Sequence, residues 1–334
     1  LNYSVTSVSE QLRSIKESPM YRWLKYLLAT SCVAFLAACG GGDDDDPGTI
    51  AAVAADSNLT ALVAAADKAG LVDALSAADA TLTVFAPTNA AFDALATTLG
   101  FADAGTMVAA LDGQTLAKIL TYHVLPARKT AAQLTAGTEP TLYTFDGAPA
   151  RLSIATSGGV RVTDAVLTQA RVARANVAAR NGVVHVIDKV LVPPGVLNVV
   201  QMAQLNPAFS TLVSAVTNAG LAGTLSGPGP FTVFAPTNDA FAAIAGTVGG
   251  LTPAQLTTVL TYHVVGAEVL ASGIPFGVPV ATVSTQEITI TAGPAPAIAS
   301  IADTTPSPAR ITAVDIRGSN GVIHVIDKVL LPEL

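Results

Sequence analysis

A seven-residue stretch used twice constrains this chain more than anything else in it: His185-Val186-Ile187-Asp188-Lys189-Val190-Leu191 and His324-Val325-Ile326-Asp327-Lys328-Val329-Leu330. Each copy follows an Asn-Gly pair, Asn181-Gly182 and Asn320-Gly321. Each also closes a block of roughly 140 residues, which marks a domain copied in tandem. The 334 residues give two domains, each large enough to bury a core without disulfides.

Other segments recur in the same order. Val84-Phe85-Ala86-Pro87-Thr88-Asn89 returns as Val233-Phe234-Ala235-Pro236-Thr237-Asn238, and Leu120-Thr121-Tyr122-His123-Val124 as Leu260-Thr261-Tyr262-His263-Val264. In the first block, 50–56 and 58–68 read as helices, the second with Leu59, Leu62, Val63 and Ala66 on one stripe and Gly70 ending it. A strand over 81–86 stops at Pro87, and Thr88 or Asn89 caps a helix carrying Phe92 and Leu95 inward. Another helix opens at Asp112 or Gly113 and runs to Tyr122. Short strands are expected at 142–145, 151–155, 160–163, 170–176 and 183–187. The second block repeats this, with helices over 196–203 and 208–218 and strands at 278–284, 287–291, 297–301, 310–316 and 322–326. Helices first and antiparallel strands later is an α+β pattern. The blocks meet at Val192-Pro193-Pro194-Gly195, a joint short enough to restrict relative motion.

The front of the chain differs. A basic segment, Met20 to Lys25, precedes an apolar one, Leu27 to Ala38, which Leu36-Ala37-Ala38-Cys39-Gly40 closes in the manner of a bacterial lipoprotein signal. On that pattern residues 1–38 are an upstream leader and signal peptide with its start at Met20, and Cys39 is the lipidated residue. Gly40 to Gly48, with Asp43 to Asp46 inside it, is a flexible acidic tether over 39–48. Gly40 in place of an aspartate after the cysteine favours the outer membrane, with the domains facing the periplasm or the outside. Of the two cysteines, Cys32 leaves with the signal and Cys39 takes the lipid, so neither a disulfide nor a thiolate metal ligand remains.

Removing 1–38 takes four of 17 basic residues (Arg13, Lys16, Arg22, Lys25) and two of 24 acidic ones (Glu10, Glu17), leaving 13 and 22, a net charge of −9. A chain this acidic has no electrostatic footprint for nucleic acid, and its membrane contact is expected to be the anchor alone.

Together, the Thr-Val-Phe-Ala-Pro-Thr-Asn-x-Ala-Phe, Tyr-His and terminal Asn-Gly-Val-(Val/Ile)-His-Val-Ile-Asp-Lys-Val-Leu elements resemble the fasciclin, or FAS1, domain family. The resemblance covers 49–193 and 195–334. It implies an α+β domain with an antiparallel β wedge or sandwich flanked by helices, in two tandem copies. It also implies extracytoplasmic placement and a role in cell adhesion or matrix contact, with an unidentified surface protein or polysaccharide as partner. Family adhesion sites of the Tyr-His and Asp-Ile kind map to Tyr122-His123, Tyr262-His263 and Asp315-Ile316. In the first domain Asn176-Val177 stands where the second has Asp315-Ile316.

The residue types allow further chemistry. All four histidines, His123, His185, His263 and His324, fall at matching places, so a His-Asp catalytic pair with Asp188 or Asp327, or a two-histidine metal site, is formally available. No closely spaced histidine pair and no serine in a nucleophile turn accompanies them. Buried structural histidines, no catalytic residue, no metal and no cofactor are therefore expected. Pro87, Thr88, Asn89, His185, Asp188, Pro236, Thr237, Asn238, His324 and Asp327 are assigned to structure. An alternative function is carriage of an apolar small molecule, since an Ala/Val/Leu-rich seam between helices and sheet can open as a pocket.

Overall fold

The structure, a computed structural model, describes residues 47–293 and 298–334, which form one compact unit. The expected signal peptide, Cys39 and the tether up to Asp46 lie outside the described residues, as does the first residue of the strand expected at 297–301.

The first domain begins with helices α1 (Ile50–Asp56), α2 (Thr60–Lys68) and α3 (Val72–Ser76), then strand β1 (Leu82–Pro87). Helices α4 (Asn89–Thr98), α5 (Ala104–Ala110) and α6 (Gly113–Tyr122) follow. Strands β2 (Val124–Leu125), β3 (Gly137–Phe145), β4 (Ala148–Ala155), β5 (Arg161–Thr163), β6 (Gln169–Ala179) and β7 (Gly182–Ile187) complete it. The second domain repeats the plan with α7 (Val199–Gln204), α8 (Ser210–Asn218), α9 (Ala222–Ser226), β8 (Phe231–Pro236), α10 (Asn238–Ala242), α11 (Ala245–Gly249) and α12 (Pro253–Tyr262). Its strands are β9 (Val264–Val265), β10 (Pro279–Ala281), β11 (Glu287–Ala292), β12 (Ala299–Ala302), β13 (Ala309–Gly318) and β14 (Gly321–Ile326).

Side-chain caps set the helix starts. Thr88 Oγ1 accepts the Ala91 N–H at 3.2 Å and Asp112 Oδ1 the Thr115 N–H at 2.8 Å, so Thr88 and Asp112 are the caps, not Asn89 and Gly113. Asn89 instead reaches back to α2, accepting the Ala61 N–H at 3.0 Å and donating to the Asn58 carbonyl at 2.9 Å. Its counterpart Asn238 does the same to Thr211 and Pro207. Helix α5, absent from the sequence expectation, starts on a box formed by Asp103 and Thr106.

The strands run in the order β2-β1-β7-β6-β5-β4-β3, and the second domain has the matching order β9-β8-β14-β13-β12-β11-β10. All pairings are antiparallel except that β1 lies parallel to β7, and β8 to β14. A parallel pair needs a long crossover, and here everything from Thr88 to Asn181 serves as one. The start of β6 pairs with β5 and the rest of it with β7, across register shifts at Val172/Arg174 and Arg174/Val177. One strand thus belongs to both halves of the sheet and bends the ladder into the expected wedge. In the second domain the Val283 N–H donates to the Val264 carbonyl at 2.7 Å, joining a residue just after β10 to β9 at the far end of the ladder.

Each domain consequently has two cores. In the first, Val84, Ala86, Val184 and Val186 face the helices and pack with Leu62, Phe92 and Leu120. Phe85 and Ile187 face the other way, against Tyr122, Leu152, Ile154 and Leu191 between the halves of the sheet. Strand β7 is buried along its whole length because both faces are covered.

The joint between domains is packed. Val166 and Val192 enter the core of the second domain, Asn206 Nδ2 donates to the Val166 carbonyl at 2.9 Å, and the Gly195 N–H donates to the Arg317 carbonyl at 2.9 Å. The Arg317 guanidinium sits 5.1 Å from the centre of the Phe145 ring and 3.1 Å from both Asp146 and Glu268. Among the described residues no helix is long and apolar enough to cross a membrane.

Candidate functional site

Tyr122 and His123 end α6, where the chain turns into β2. Both are buried. The Tyr122 hydroxyl donates to the Arg151 carbonyl at 3.1 Å, and burial pushes its ionisation well above the ordinary range. His123 Nε2 accepts the Leu191 N–H at 2.8 Å, which fixes the tautomer: Nδ1 carries the proton and donates to the Ile119 carbonyl at 2.7 Å. Burial lowers its pKa to about 4, partly opposed by the bond to Ile119. Tyr262 and His263 reproduce this with Glu287, Leu330 and Val259, and His263 too falls to about 4.

His185 and His324, on the closing strands, hold a loop. His185 Nε2–H donates to the Lys129 carbonyl at 3.0 Å while Nδ1 accepts the Asn176 N–H at 3.2 Å. His324 makes the same pair with the Val269 carbonyl and the Asp315 N–H. Burial lowers both pKa values, against the bonds to those carbonyls. Buried Thr83 grips the same loop by donating to the Ala127 carbonyl and accepting the Lys129 N–H, and Thr232 does so in the second domain. All four imidazoles thus have both ring nitrogens bonded within the fold.

Asn176 and Asp315 occupy one structural position. Each has φ of 59°, the left-handed conformation that Asn and Asp tolerate best. Asn176 Oδ1 accepts the Ala131 N–H at 2.7 Å and Asp315 Oδ1 the Ala271 N–H at 2.9 Å. Asp315 is exposed, but Ile316 beside it is buried in the core, as are Tyr262 and His263. Of the residues mapped from family adhesion sites, only Asp315 offers its side chain to solvent.

Asp188 lies just past the end of β7, which re-aims its carboxylate: Oδ1 accepts the Arg171 N–H at 2.7 Å, and Asp327 takes that of Arg310 at 2.7 Å. The next residue reveals a feature the sequence left hidden. Lys189 reaches the fully buried Asp164 side chain at 2.7 Å, and Lys328 reaches the equally buried Asp303 at 2.8 Å. Asp164 also accepts from the Thr168 and Val192 N–H groups, and Asp303 from those of Thr305 and Leu331. Burial alone would raise the Asp303 carboxyl, but the bonds from Lys328, Thr305 and Leu331 outweigh it and hold the group below its ordinary range. The repeated lysine was the available signal, since a partner for it must lie near.

The Asn-Gly pair also gains a role. Buried Asn181 accepts the Ile50 N–H at 2.9 Å and donates to the Leu75 and Ala77 carbonyls at 2.9 Å each, clasping the start of α1 to the end of α3. Asn320 clasps Val199, Leu225 and Gly227. Gly182 is required by close approach: a Cβ there would stand 2.4 Å from the Leu82 carbonyl oxygen.

Two features remain open. Around β10, Phe276, Val278 and Val283 are 47%, 53% and 47% exposed. Beneath α1, α2 and α3 of the first domain is an apolar cavity of about 170 Å³. Among the described residues no group of three or more His, Cys, Asp or Glu side chains is placed to hold a metal.

The fasciclin domain family matches residues 57–193 and 207–332. The chain belongs to that family. Its fasciclin domains are similar to Protein sll1483 of Synechocystis, 42% identical over 143 residues, which is 41% of this chain and 75% of that one. The uncharacterized Synechocystis protein sll1735 is 41% identical over 137 residues, 40% of this chain and 97% of the other. The pig transforming growth factor-beta-induced protein ig-h3 is 32% identical over 176 residues, 49% of this chain but only 23% of that protein. A solved FAS1 domain pair from the insect cell adhesion molecule Fasciclin I aligns with TM-score 0.43 and 20% identity, over 83% of this chain and 98% of that one. Fasciclin domains are found in cell adhesion and extracellular matrix proteins.

Proposed function

We propose that this tandem fasciclin protein is a non-enzymatic interaction module of a bacterial envelope, held by lipid on Cys39 and binding a surface protein or polysaccharide. One observation carries the non-enzymatic part: the imidazoles at both repeated positions and the carboxylates of Asp164 and Asp303 are already committed to bonds inside the fold. Family membership supports contact as the role. The apolar side chains around β10 supply a surface for it, because exposed apolar residues in a group mark interaction sites more often than scattered ones do.

The test is attachment of cells bearing the full chain. F276S/V278S is expected to weaken attachment with unchanged thermal unfolding; undiminished attachment rejects this surface. Cys39→Ala is expected to release the protein from the membrane fraction, and retention there rejects the anchor. A second reading, binding of an apolar small molecule, is favoured by the cavity in the first domain.

A further inference from the structure

We infer that the cavity of the first domain is a binding site for a neutral hydrocarbon group of about six to ten carbons, which deepens the second reading above and rests on it. The volume, about 170 Å³, is close to that of engineered apolar cavities of about 150 Å³ that stay dry and admit benzene. Its wall is built from Ile50, Leu62, Ala66, Leu82, Val84 and Val184, among other apolar side chains. Two residues with polar side chains, Thr121 and His123, border it. Both are spent: the Thr121 hydroxyl lies against the Ala117 and Lys118 carbonyls, and both ring nitrogens of His123 are bonded. A polar ligand entering here would lose its hydrogen bonds to water and find none in return. A hydrocarbon loses nothing. Leu142, 44% exposed, also lines the cavity and marks where it meets solvent.

The second domain provides an internal comparison. Ala66 and Val216 each stand four residues before the glycine that ends their helix, Leu82 and Phe231 each open the parallel strand, and Val184 and Ile323 each precede the histidine of the closing strand. At these three lining positions the second domain carries the larger side chain. The changes at Ile50/Val199 and Val72/Ala222 run the other way, so the two interiors are packed differently rather than uniformly enlarged. The same frame thus accepts Val, Phe and Ile at three places where the first domain leaves room. Unfilled space weakens a core, and an occupant would restore the missing contacts.

The experiment titrates the full chain with n-butylbenzene and follows thermal unfolding, beside the variant A66V/V184I, whose new side chains are those of the second domain. A second variant, L82F, guards against misfolding, and circular dichroism verifies both. The wild type is expected to show a saturable rise on the order of 5 °C at high occupancy, and the filled variants none. No saturable rise in the wild type, or an equal rise in a folded filled variant, overturns the site. Dodecanoate is the competing arm: displacement of butylbenzene assigns the site to the acyl tail of a lipid, binding without displacement to small free hydrocarbons, and either upholds it. Mass spectrometry of molecules copurifying with the full chain separates this inference from the broader reading. An apolar molecule retained by A66V/V184I leaves the carrier reading standing and overturns the cavity as its site.

Discussion

His123 takes the backbone N–H of Leu191 on its unprotonated Nε2 at 2.8 Å, fastening the end of α6 to the segment that leaves β7. The two residues are 68 positions apart, and His263 and Leu330 repeat the link over 67. A protonated imidazole cannot accept this bond, so the fold requires the neutral ring.

Stability is therefore expected to fall on acidification. The folded pKa of His123 and His263 is about 4 and the ordinary histidine value is 6.5. Between these values the unfolded chain binds protons that the folded chain refuses, so the stability these two histidines hold is full above about 6.5, declines toward pH 4 and is fully lost below it, where protonation of Asp303 begins to cost more. The loss is on the order of 3 kcal/mol per histidine at most. Urea unfolding at pH 7.5 and 4.5 measures it. In His123→Phe/His263→Phe the pH dependence in this window should shrink to the part that His185 and His324 contribute, at the cost of lower stability at neutral pH, because the Leu191 and Leu330 amides lose their acceptor.

Lys189→Met is expected to destabilise the first domain by roughly 3–5 kcal/mol, since it strands a buried carboxylate. Asp164 has no exposed side-chain surface and Lys189 is its ion-pair partner. The double variant D164N/K189M should recover much of that loss by removing both charges. Calorimetry of Lys189→Met, Asp164→Asn and the double variant decides it; a loss in the double variant equal to the sum of the two single losses would mean that the pair is not coupled.

Asn181→Ala should cost about 3 kcal/mol, because it leaves the buried Ile50 N–H and the Leu75 carbonyl without that partner and leaves the Ala77 carbonyl only the Ala80 N–H. Gly182→Ala should be comparably damaging through its clash with the Leu82 carbonyl. In contrast Gly100→Ala, with nothing within 4 Å of the added Cβ, faces only the strain of its φ of 86°. Hydrogen exchange of the α1 and α3 amides should rise selectively in Asn181→Ala.

Local signals carried far in this chain. The two helix starts were legible to within one residue, at Thr88 or Asn89 and at Asp112 or Gly113, because a capping residue type and the apolar run after it sit side by side, and the repeated blocks exposed the domains. The missed helix, Ala104–Ala110, is rich in alanine with Met107 and Val108 as its only large buried side chains, so its apolar stripe is faint. The parallel pairing of β1 and β7 was not legible because no local pattern specifies a partner so far along the chain. Asp164 and Asp303 escaped for a related reason: each lies 25 residues from its lysine, in Val162-Thr163-Asp164-Ala165 and Ile301-Ala302-Asp303-Thr304, segments that share little besides the carboxylate.

The unequal pair Asn176 and Asp315 supplies the last prediction. Both sit at φ 59° and both use Oδ1 to accept a loop N–H, so the second carboxylate oxygen of Asp315 is not needed for the fold. Asp315→Asn should change stability by less than about 0.5 kcal/mol. Asp315→Ala should cost about 1–2 kcal/mol, through the lost acceptor for the Ala271 N–H and the strain of a left-handed alanine. Comparing attachment of cells bearing the two variants then isolates charge from structure. If Asp315→Asn attaches normally, the carboxylate has no contact role and the position is a loop cap in both domains. If Asp315→Asn abolishes attachment while its unfolding curve matches wild type, the negative charge itself meets the partner, and the first domain, with Asn176, lacks that contact.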